Sequence, residues 1–192
     1  MSDSRFGELI GPGTFRIERR LPGPIERIWS YLTVAEKRRQ WFADGPMDLI
    51  PGGAVDLSFR FDDLSPETSP PDVSGQCHVP GRITVCDPPH LLAFTWGTGP
   101  DASEVTFELT SQGDDVLLVI THRRLPPLQI VTVASGWHVH LDLLGDSLSG
   151  GGPRLFWTHK RQLEADYHAR LFASNRAAES GFSHTAEKER LS

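Results

Sequence analysis

The sequence from Trp137 to Asp142 holds two histidines and a carboxylate within six residues, and these residue types can bind a metal or transfer protons. If the segment is helical, His138 and His140 point about 200° apart and cannot share an ion. His138 and Asp142 lie four residues apart on the face away from the apolar stripe, where we expect a surface ion pair or hydrogen bond. Catalytic zinc sites have three protein ligands, and no third ligand is identifiable. We therefore predict no metal site and no cofactor.

His140 is the best candidate for a functional side chain, because it lies at the edge of an apolar stripe, one turn before Leu144. From there an imidazole could face an interior cavity, where it would orient a ligand hydroxyl or act as a general base in a cyclase or hydrolase reaction. The alternative is a hydrogen bond to a neighbouring backbone carbonyl, since most side-chain hydrogen bonds are made to the backbone or to water.

No residue is placed as a nucleophile for covalent catalysis. Ser135 precedes a glycine but lacks the strand, sharp turn and helix that surround a hydrolase serine. Neither Cys77 nor Cys86 has an evident base nearby in sequence. The glycines at 150–152 are followed by Pro153 and not by a lysine, so they form no phosphate loop. The sequence therefore favours binding over catalysis, and we assign no catalytic residue.

The bulk composition limits the classes of partner. The chain has 192 residues, a net charge of −6, 38% hydrophobic residues and 23% charged residues, which is typical of a globular domain. A negative net charge does not favour nucleic acid or an anionic membrane. The short basic clusters at 19–20, 37–39 and 123–124 are interpreted as solvated surface. Without an apolar leader, a long apolar run or a disulfide pattern, we predict a cytoplasmic protein with no membrane span.

The N-terminal part of the chain predicts one strand followed by two short helices. Phe15 and Ile17 alternate with charged residues and indicate a strand over 14–20. Pro24 can begin a helix, because its missing N–H has no partner at that position in any case. A second short helix is predicted over 34–41.

The middle of the chain begins with the clearest alternation in the sequence. Four apolar residues at period two predict a strand over 55–61, with Phe59 and Phe61 on its buried side. Residues 63–80 are polar and rich in proline, and we interpret them as a flexible insertion. The alternative for this insertion is a functional lid.

Two hairpins and a long helix follow the insertion. Residues 81–96 predict a hairpin, and residues 104–122 predict another in which Phe107 points inward. The apolar residues that the first hairpin turns to one side are Ile83, Val85, Leu92, Phe94 and Trp96. From about residue 129 to residue 149 the period changes to that of a helix. A last amphipathic segment ends near Leu171.

These elements predict an α+β fold. An antiparallel sheet with one apolar face must be covered, and only the helix over 129–149 is long enough to cover it. A 20-residue helix spans about 30 Å, which is enough to cross a sheet of five or six strands. We therefore predict one domain over 1–173, a curved antiparallel sheet around a long C-terminal helix, and a disordered tail over 174–192.

Four segments resemble the START-like (SRPBCC) superfamily of polyketide cyclases and lipid-transfer proteins. They are RIERRLPGPIERIWSYLT (16–33), GRITVCDPPHLLAFTW (81–96), VTFELTSQGDDVLLVITH (105–122) and GWHVHLDLLGDSL (136–148). Within the superfamily the chain looks like the branch related to the C-terminal domain of the activator of the heat-shock protein 90 ATPase. The resemblance implies the helix-grip fold (START/Bet v 1-like) with an apolar cavity between sheet and helix. It does not extend to the co-chaperone function, because the eukaryotic co-chaperones carry an additional N-terminal domain that does not fit ahead of Phe15.

The resemblance and the aromatic residues on both walls predict a ligand cavity. Candidate lining residues come from the strand faces and the long helix: Phe59, Phe61, Trp96, Phe107, Trp137, His140, Leu141 and Leu144. The same side chains could also form a filled core without a ligand. The leading hypothesis is that a monomer or homodimer binds a small hydrophobic molecule without robust catalysis. The alternatives are a cyclase or aromatase and a partner-binding or chaperone-associated module.

Overall fold

The computed structural model describes residues 5–71 and 77–171. Its strands are β1 Glu8–Gly11, β2 Thr14–Pro22, β3 Ala54–Phe59, β4 Cys77–Asp87, β5 Leu91–Trp96, β6 Ser103–Gln112 and β7 Asp115–Arg123. Its helices are α1 Ile25–Thr33, α2 Ala35–Arg38, α3 Phe61–Leu64, α4 Ile130–Ser149 and α5 over 156–171. A 3-10 turn at Pro127–Gln129 leads directly into α4. The strands form one antiparallel sheet in the order β1-β2-β7-β6-β5-β4-β3. With α4 as the long helix, the predicted α+β helix-grip fold is confirmed.

Strand alternation builds the sheet side of the core. In β2, Phe15 and Ile17 are buried, and they lie opposite His122 and Ile120 of β7. Apolar residues at every second position give each strand one face that must leave water, and the paired registers bring those faces together. His122 therefore occupies a position in the core that its neighbours on β7 fill with aliphatic side chains.

The long helix supplies the other side of the core. α4 starts within one residue of the prediction and ends at Gly150, whose φ of 71° is the left-handed conformation that favours glycine. Gly145 does not interrupt the helix. The buried residues of α4 occur on more than one face, because α5 follows it and belongs to the same core through Phe156 and Tyr167.

Several element boundaries differ from the prediction. β3 ends at Phe59, because Arg60 leaves the extended conformation with ψ of 77°, so Phe61 starts α3 and is not a strand residue. β4 begins at Cys77, which pairs with Phe59, so the end of the predicted insertion is strand. α2 is shorter than the predicted helix over 34–41. The predicted tail over 174–192 lies outside the described residues.

The side chain of Val85 points to the opposite face of the sheet from the one predicted, and the reason is local. The register of β4 against β5 shifts between Ile83 and Val85, as in a β-bulge: Ile83 pairs with Phe94, and Val85 pairs with Ala93. A bulge adds one residue to a strand and reverses the side to which the next side chain points. Val85 is consequently 41% exposed, whereas Ile83 remains in the core.

Arg38 corrects the interpretation of the 37–39 cluster as solvated surface. Its guanidinium is buried and donates from Nε to the carbonyl of Ala43 at 3.1 Å and from Nη1 to that of Thr33 at 3.1 Å. Further hydrogen bonds reach the carbonyls of Leu32 and Gly45. Burial lowers the pKa of Arg38 to about 10, so the group remains charged at neutral pH. Arg38 thus joins the end of α1 to the turn that follows α2.

We expect Arg38→Lys to lower the free energy of unfolding by about 2–3 kcal/mol, because an ammonium cannot reach the carbonyls that a planar guanidinium fork serves. Denaturant unfolding measures the change. The matched control is Arg39→Lys on the exposed neighbour, for which we expect a change within about 0.5 kcal/mol. Equal effects of the two substitutions would show that the carbonyl contacts of Arg38 contribute no stability.

Candidate functional site

Eight ring-bearing side chains meet between the sheet, α4 and α5, and we call this cluster the aromatic chamber. Its members are Phe42, Phe59, Phe61, Trp96, Trp137, His140, Phe156 and Trp157. Neighbouring rings have centroids 5.0–6.4 Å apart, in stacked, tilted and edge-on arrangements. Aromatic pairs at these separations stabilise one another beyond the apolar area that they bury. In this structure the predicted cavity is therefore occupied by side chains of the protein.

Five of the eight predicted lining residues belong to the chamber: Phe59, Phe61, Trp96, Trp137 and His140. Phe107 lies beside the chamber, edge-on to Trp137 at 5.7 Å and stacked on Phe94 at 5.9 Å. Leu144 is buried in the core. Leu141 lines a different, polar cleft. The structure therefore brings together the predicted ring residues around His140, whereas Leu141 is buried in the same core and also borders that cleft.

The sequence did not indicate that three of the chamber residues belong to the site, for two different reasons. Phe42 stacks on Trp137 at 5.0 Å and meets Phe59 edge-on at 5.0 Å, but it lies in a turn where no periodicity indicates burial. Phe156 and Trp157 begin α5, which was predicted as an amphipathic segment without Trp157 on its apolar stripe and without any indication of the part of the core that it would reach.

His140 is held as a neutral ring in the chamber wall. Its Nδ1–H donates to the carbonyl of Trp41 at 2.7 Å, because a carbonyl can only accept. This bond fixes the tautomer and leaves Nε2 as an acceptor, which forms no hydrogen bond with any described residue. Burial lowers the pKa of His140 to about 4. Of the two roles considered for this histidine, the hydrogen bond to a backbone carbonyl is present at Nδ1.

His122 is a second interior histidine, and sequence reasoning missed it. Trp137 Nε1–H donates to His122 Nδ1 at 3.1 Å, so the ring proton is on Nε2, which donates to Ser103 Oγ at 2.8 Å. Burial lowers its pKa to about 4. Both ring nitrogens are engaged, which makes His122 a positioning residue for Trp137. Its signal was present, since it shares the inward parity of Val116, Leu118 and Ile120.

The outer side of the chamber is closed by α3, residues 65–71 and the first turn of α5, which together we call the cap. Ser65 Oγ accepts the backbone N–H of Phe156 at 3.1 Å. The carboxylate of Glu67 accepts the N–H groups of Trp157 and Thr158 at 2.8 and 3.1 Å and the Thr158 hydroxyl at 2.6 Å. The Thr158 hydrogen bonds lower the pKa of Glu67. Part of the predicted insertion therefore caps the N-terminus of α5, where free N–H groups attract a carboxylate.

Trp157 carries a polar atom that the protein leaves unsatisfied. The residue is 7% exposed and packs against Phe61 and Phe156, with centroids 5.1 and 5.0 Å away. Its Nε1–H is buried and has no hydrogen-bond partner among the described residues. Buried donors without a partner are rare in folded proteins, so this atom is an unusual feature of the chamber.

Comparison with known proteins decides the family. A family model described as Activator of Hsp90 ATPase homolog 1-like protein matches residues 22–149, about two thirds of the chain. The chain belongs to this family. The resemblance to the START-like superfamily and to its heat-shock-activator branch is thereby confirmed, and we use the short name activator-homolog family below.

Solved structures similar to this activator-homolog domain agree on the fold. A Bordetella parapertussis protein solved by NMR is 40% identical with a TM-score of 0.72, over 88% of this chain and 94% of that chain. CalU16 from Micromonospora echinospora is 25% identical with a TM-score of 0.61, over 85% and 93% of the two chains. A conserved Enterococcus faecalis protein, 23% identical with a TM-score of 0.60 over 83% and 85%, supports the fold alone. No curated protein matches the sequence.

A second, polar cluster of this activator-homolog domain surrounds Asp142, and it corrects the expected surface pair. Asp142 and His138 are both buried, because α5 covers the face of α4 that was expected to meet solvent. The Asp142 carboxylate lies 2.9 Å from His159 Nε2, 3.3 Å from Arg19 Nη2 and 3.8 Å from Arg154 Nη1. Arg19 is likewise not solvated surface, since its side chain is 10% exposed.

The neighbouring groups keep the carboxyl group of Asp142 ionised within this polar cluster. Burial alone would raise the pKa of Asp142, but the hydrogen bond from His159 and the positive charge of Arg19 outweigh it, so the pKa is lowered. Burial and the charge of Arg19 lower the pKa of His138 to about 4. The hydroxyl of Tyr167 accepts the N–H of Gly7 at 2.9 Å and lies 3.1 Å from His138 Nδ1. The cluster thus joins the start of the chain to α4 and α5.

A cleft of about 700 Å³ opens beside this cluster, between β2, β7 and α4. Its walls carry Arg19, Arg154, Asp142 and Asp146, whose charges largely pair with one another. In residues 5–71 and 77–171, no three histidine, cysteine or acidic side chains are arranged to hold a metal ion. None of the helices in that part of the chain is long and apolar enough to cross a membrane.

Proposed function

We propose that the protein binds a small hydrophobic molecule between the sheet and α4, in the space that the aromatic chamber now fills. The observation that carries this proposal is that three of the rings that fill the chamber come from the cap. Phe61, Phe156 and Trp157 belong to the cap and not to the sheet or to α4. If the cap moves away, Phe59 on the sheet and His140 on α4 lose the cap rings that they contact.

The energetic argument concerns the apolar surface of those walls. Phe59, Trp96 and Trp137 present rings that are unfavourable in water, so something apolar must cover them in any stable state. In the closed state Phe61 of the cap stacks on Phe59, whereas Phe42 lies against Trp96 and Trp137. A ligand with a flat apolar body can take the place of the Phe61 ring, make equivalent ring contacts and be enclosed by the rest of the cap. The family fold supports this proposal, because the helix-grip architecture holds a sheet and a helix apart around an interior space.

Native mass spectrometry of freshly purified protein, followed by thermal shift with a library of hydrophobic compounds, tests the proposal. We expect a retained molecule or a raised Tm, because a ligand at about 100 times its Kd adds about 2.7 kcal/mol of stability. Phe59→Leu should reduce the shift, since it removes a chamber ring. The matched control Phe94→Leu should keep it, because Phe94 stacks on Phe107 outside the chamber. The proposal would be contradicted if the purified protein retained no molecule and no compound raised its Tm.

The cap can be tested separately through Glu67. We expect Glu67→Ala to speed amide exchange over 156–160 by about five- to tenfold, because the first turn of α5 loses the carboxylate that accepts its N–H groups. Association of a ligand that raises Tm should accelerate as well. Asp63→Ala is the control, since Asp63 is exposed on α3 and pairs with Arg60. Unchanged exchange in the Glu67 variant would show that this contact does not hold the cap closed.

A further inference from the structure

We infer that the ligand of the aromatic chamber is an uncharged molecule that carries a hydroxyl, or an equivalent neutral donor and acceptor, recognised by Trp157 Nε1 and His140 Nε2. This inference rests on the proposed function and adds the chemical class of the ligand. It starts from the two polar atoms in the chamber that no described residue satisfies.

Trp157 defines the acceptor that the ligand must bring. An indole N–H can only donate, and here it is buried without a partner. The backbone N–H of the same residue is already satisfied by Glu67 at 2.8 Å, so the cap is otherwise well bonded at this point. The buried Nε1–H is therefore a donor that a ligand oxygen or nitrogen with a free lone pair could accept.

His140 defines the donor that the ligand must bring. Because its Nδ1–H is given to the carbonyl of Trp41, its Nε2 carries the lone pair. That lone pair forms no hydrogen bond with the described residues, so its complement is an O–H or N–H group. A hydroxyl is both donor and acceptor, and one hydroxyl or two neutral polar groups can satisfy both atoms.

The two atoms belong to rings that both contact the same pair of phenylalanines. Phe156 lies 5.2 Å from His140 and 5.0 Å from Trp157, measured between ring centroids. Phe61 lies 6.4 Å from His140 and 5.1 Å from Trp157. A ligand that takes the position of the Phe61 ring is therefore in contact range of both polar side chains.

The charges around the chamber argue against an ionic ligand. None of the eight chamber side chains carries a formal charge when His140 is neutral. The guanidinium of Arg38 donates to four backbone carbonyls. Lys160, whose charge acts on His140, pairs with Glu164. A carboxylate or ammonium group would lose its hydration here without gaining a free partner of opposite charge.

Three matched probes test the inference: naphthalene, 2-naphthol and 2-naphthoate, the last of which is ionised at neutral pH. Titration of the full-length protein by NMR at neutral pH gives a Kd for each. We expect 2-naphthol to bind about tenfold more tightly than naphthalene, the ratio for one satisfied buried hydrogen bond, and 2-naphthoate to bind more weakly than both. If none of the three binds, the proposed function itself fails for aromatic ligands. Equal Kd values for naphthalene and 2-naphthol, or tightest binding of 2-naphthoate, would overturn only the inference.

Two variants assign the preference to the named atoms. Trp157→Phe should remove the tenfold preference for 2-naphthol over naphthalene. The Kd of naphthalene should stay within about twofold of its value for the native protein, because the indole N–H is the only polar group lost. Trp29→Phe is the matched control, since Trp29 is on α1 and makes no ring contact with the chamber. His140→Asn keeps a donor for the Trp41 carbonyl and removes Nε2, so it should reduce the same preference even if the Trp157 variant does not fold. A preference that survives both changes would overturn the assignment.

Discussion

Asp142→Asn should lower the free energy of unfolding by about 3–5 kcal/mol, the usual cost of removing one partner of a buried ion pair. The side chains of Asp142 and Arg19 are 8% and 10% exposed, so neither charge can turn to bulk water when the other is removed. Asparagine keeps the shape of the carboxylate but not its charge. Arg19 would then remain buried without a counter-charge, and His159 would lose a charge-assisted hydrogen bond.

Denaturant unfolding of Asp142→Asn beside Asp146→Asn isolates the effect of burial. Asp146 lies one turn further along α4 and bonds Arg154 at 2.8 Å, but the two side chains are 29% and 31% exposed. Solvent screens such a pair, and we expect the Asp146 variant to stay within about 1 kcal/mol of the native protein. Similar losses in the two variants would mean that the cluster around Asp142 is not the buried junction described above.

The free energy of unfolding should fall by about 5–6 kcal/mol between pH 7 and pH 5, because His122, His138 and His140 are buried as neutral rings. Burial is the main cause that lowers the pKa of each from 6.5 to about 4. In the unfolded chain all three take up protons near pH 6.5, whereas in the folded protein they do so only near pH 4. Their contribution is therefore complete above pH 6.5 and is lost as the pH falls through this window, at about 1.4 kcal/mol per pH unit for each ring.

Urea unfolding at a series of pH values measures this slope directly. We expect unfolding near pH 5 to be accompanied by uptake of about three protons, one for each buried histidine. His140→Asn, which cannot be protonated, should reduce the uptake by about one proton. Asp142 acts in a separate window, because its pKa is lowered from 3.8 and its contribution is lost only in stronger acid. A flat profile from pH 7 to pH 5 would show that the interior rings already bind protons in the folded state.

Much of the fold was predictable because strands and helices repeat at a fixed period. The alternation around Phe15, Ile17 and Phe59 and the apolar stripe of α4 each report a local preference, and the structure places them in the sheet and the long helix as expected. Phe61 and Val85 were exceptions among the strand residues, since neither the early end of β3 nor a β-bulge is visible in an alternating pattern.

The candidate site was less predictable, because it is built by contacts between distant segments. Phe42 enters the chamber from a turn, and Trp157 reaches it from α5, where periodicity does not indicate which neighbour a ring will meet. The same limit explains Asp142 and Arg38. A helical wheel places Asp142 away from the sheet but does not show that α5 covers that face. A charged residue such as Arg38 is buried only because the chain turns four carbonyls toward it.

The pairing of β2 with β7 has a consequence for the order of events during synthesis. From β3 to β7 each strand pairs with the one that follows it, so these hairpins can form as the chain leaves the ribosome. β2 has its inner partner about 100 residues later, where Ile17 meets Ile120. β2 can pair early with β1, but its other edge has no partner until the last strand has been made, and closing so long a loop is slow. The nascent protein therefore presents one open edge of an apolar strand until β7 has been made, a period in which aggregation competes with folding.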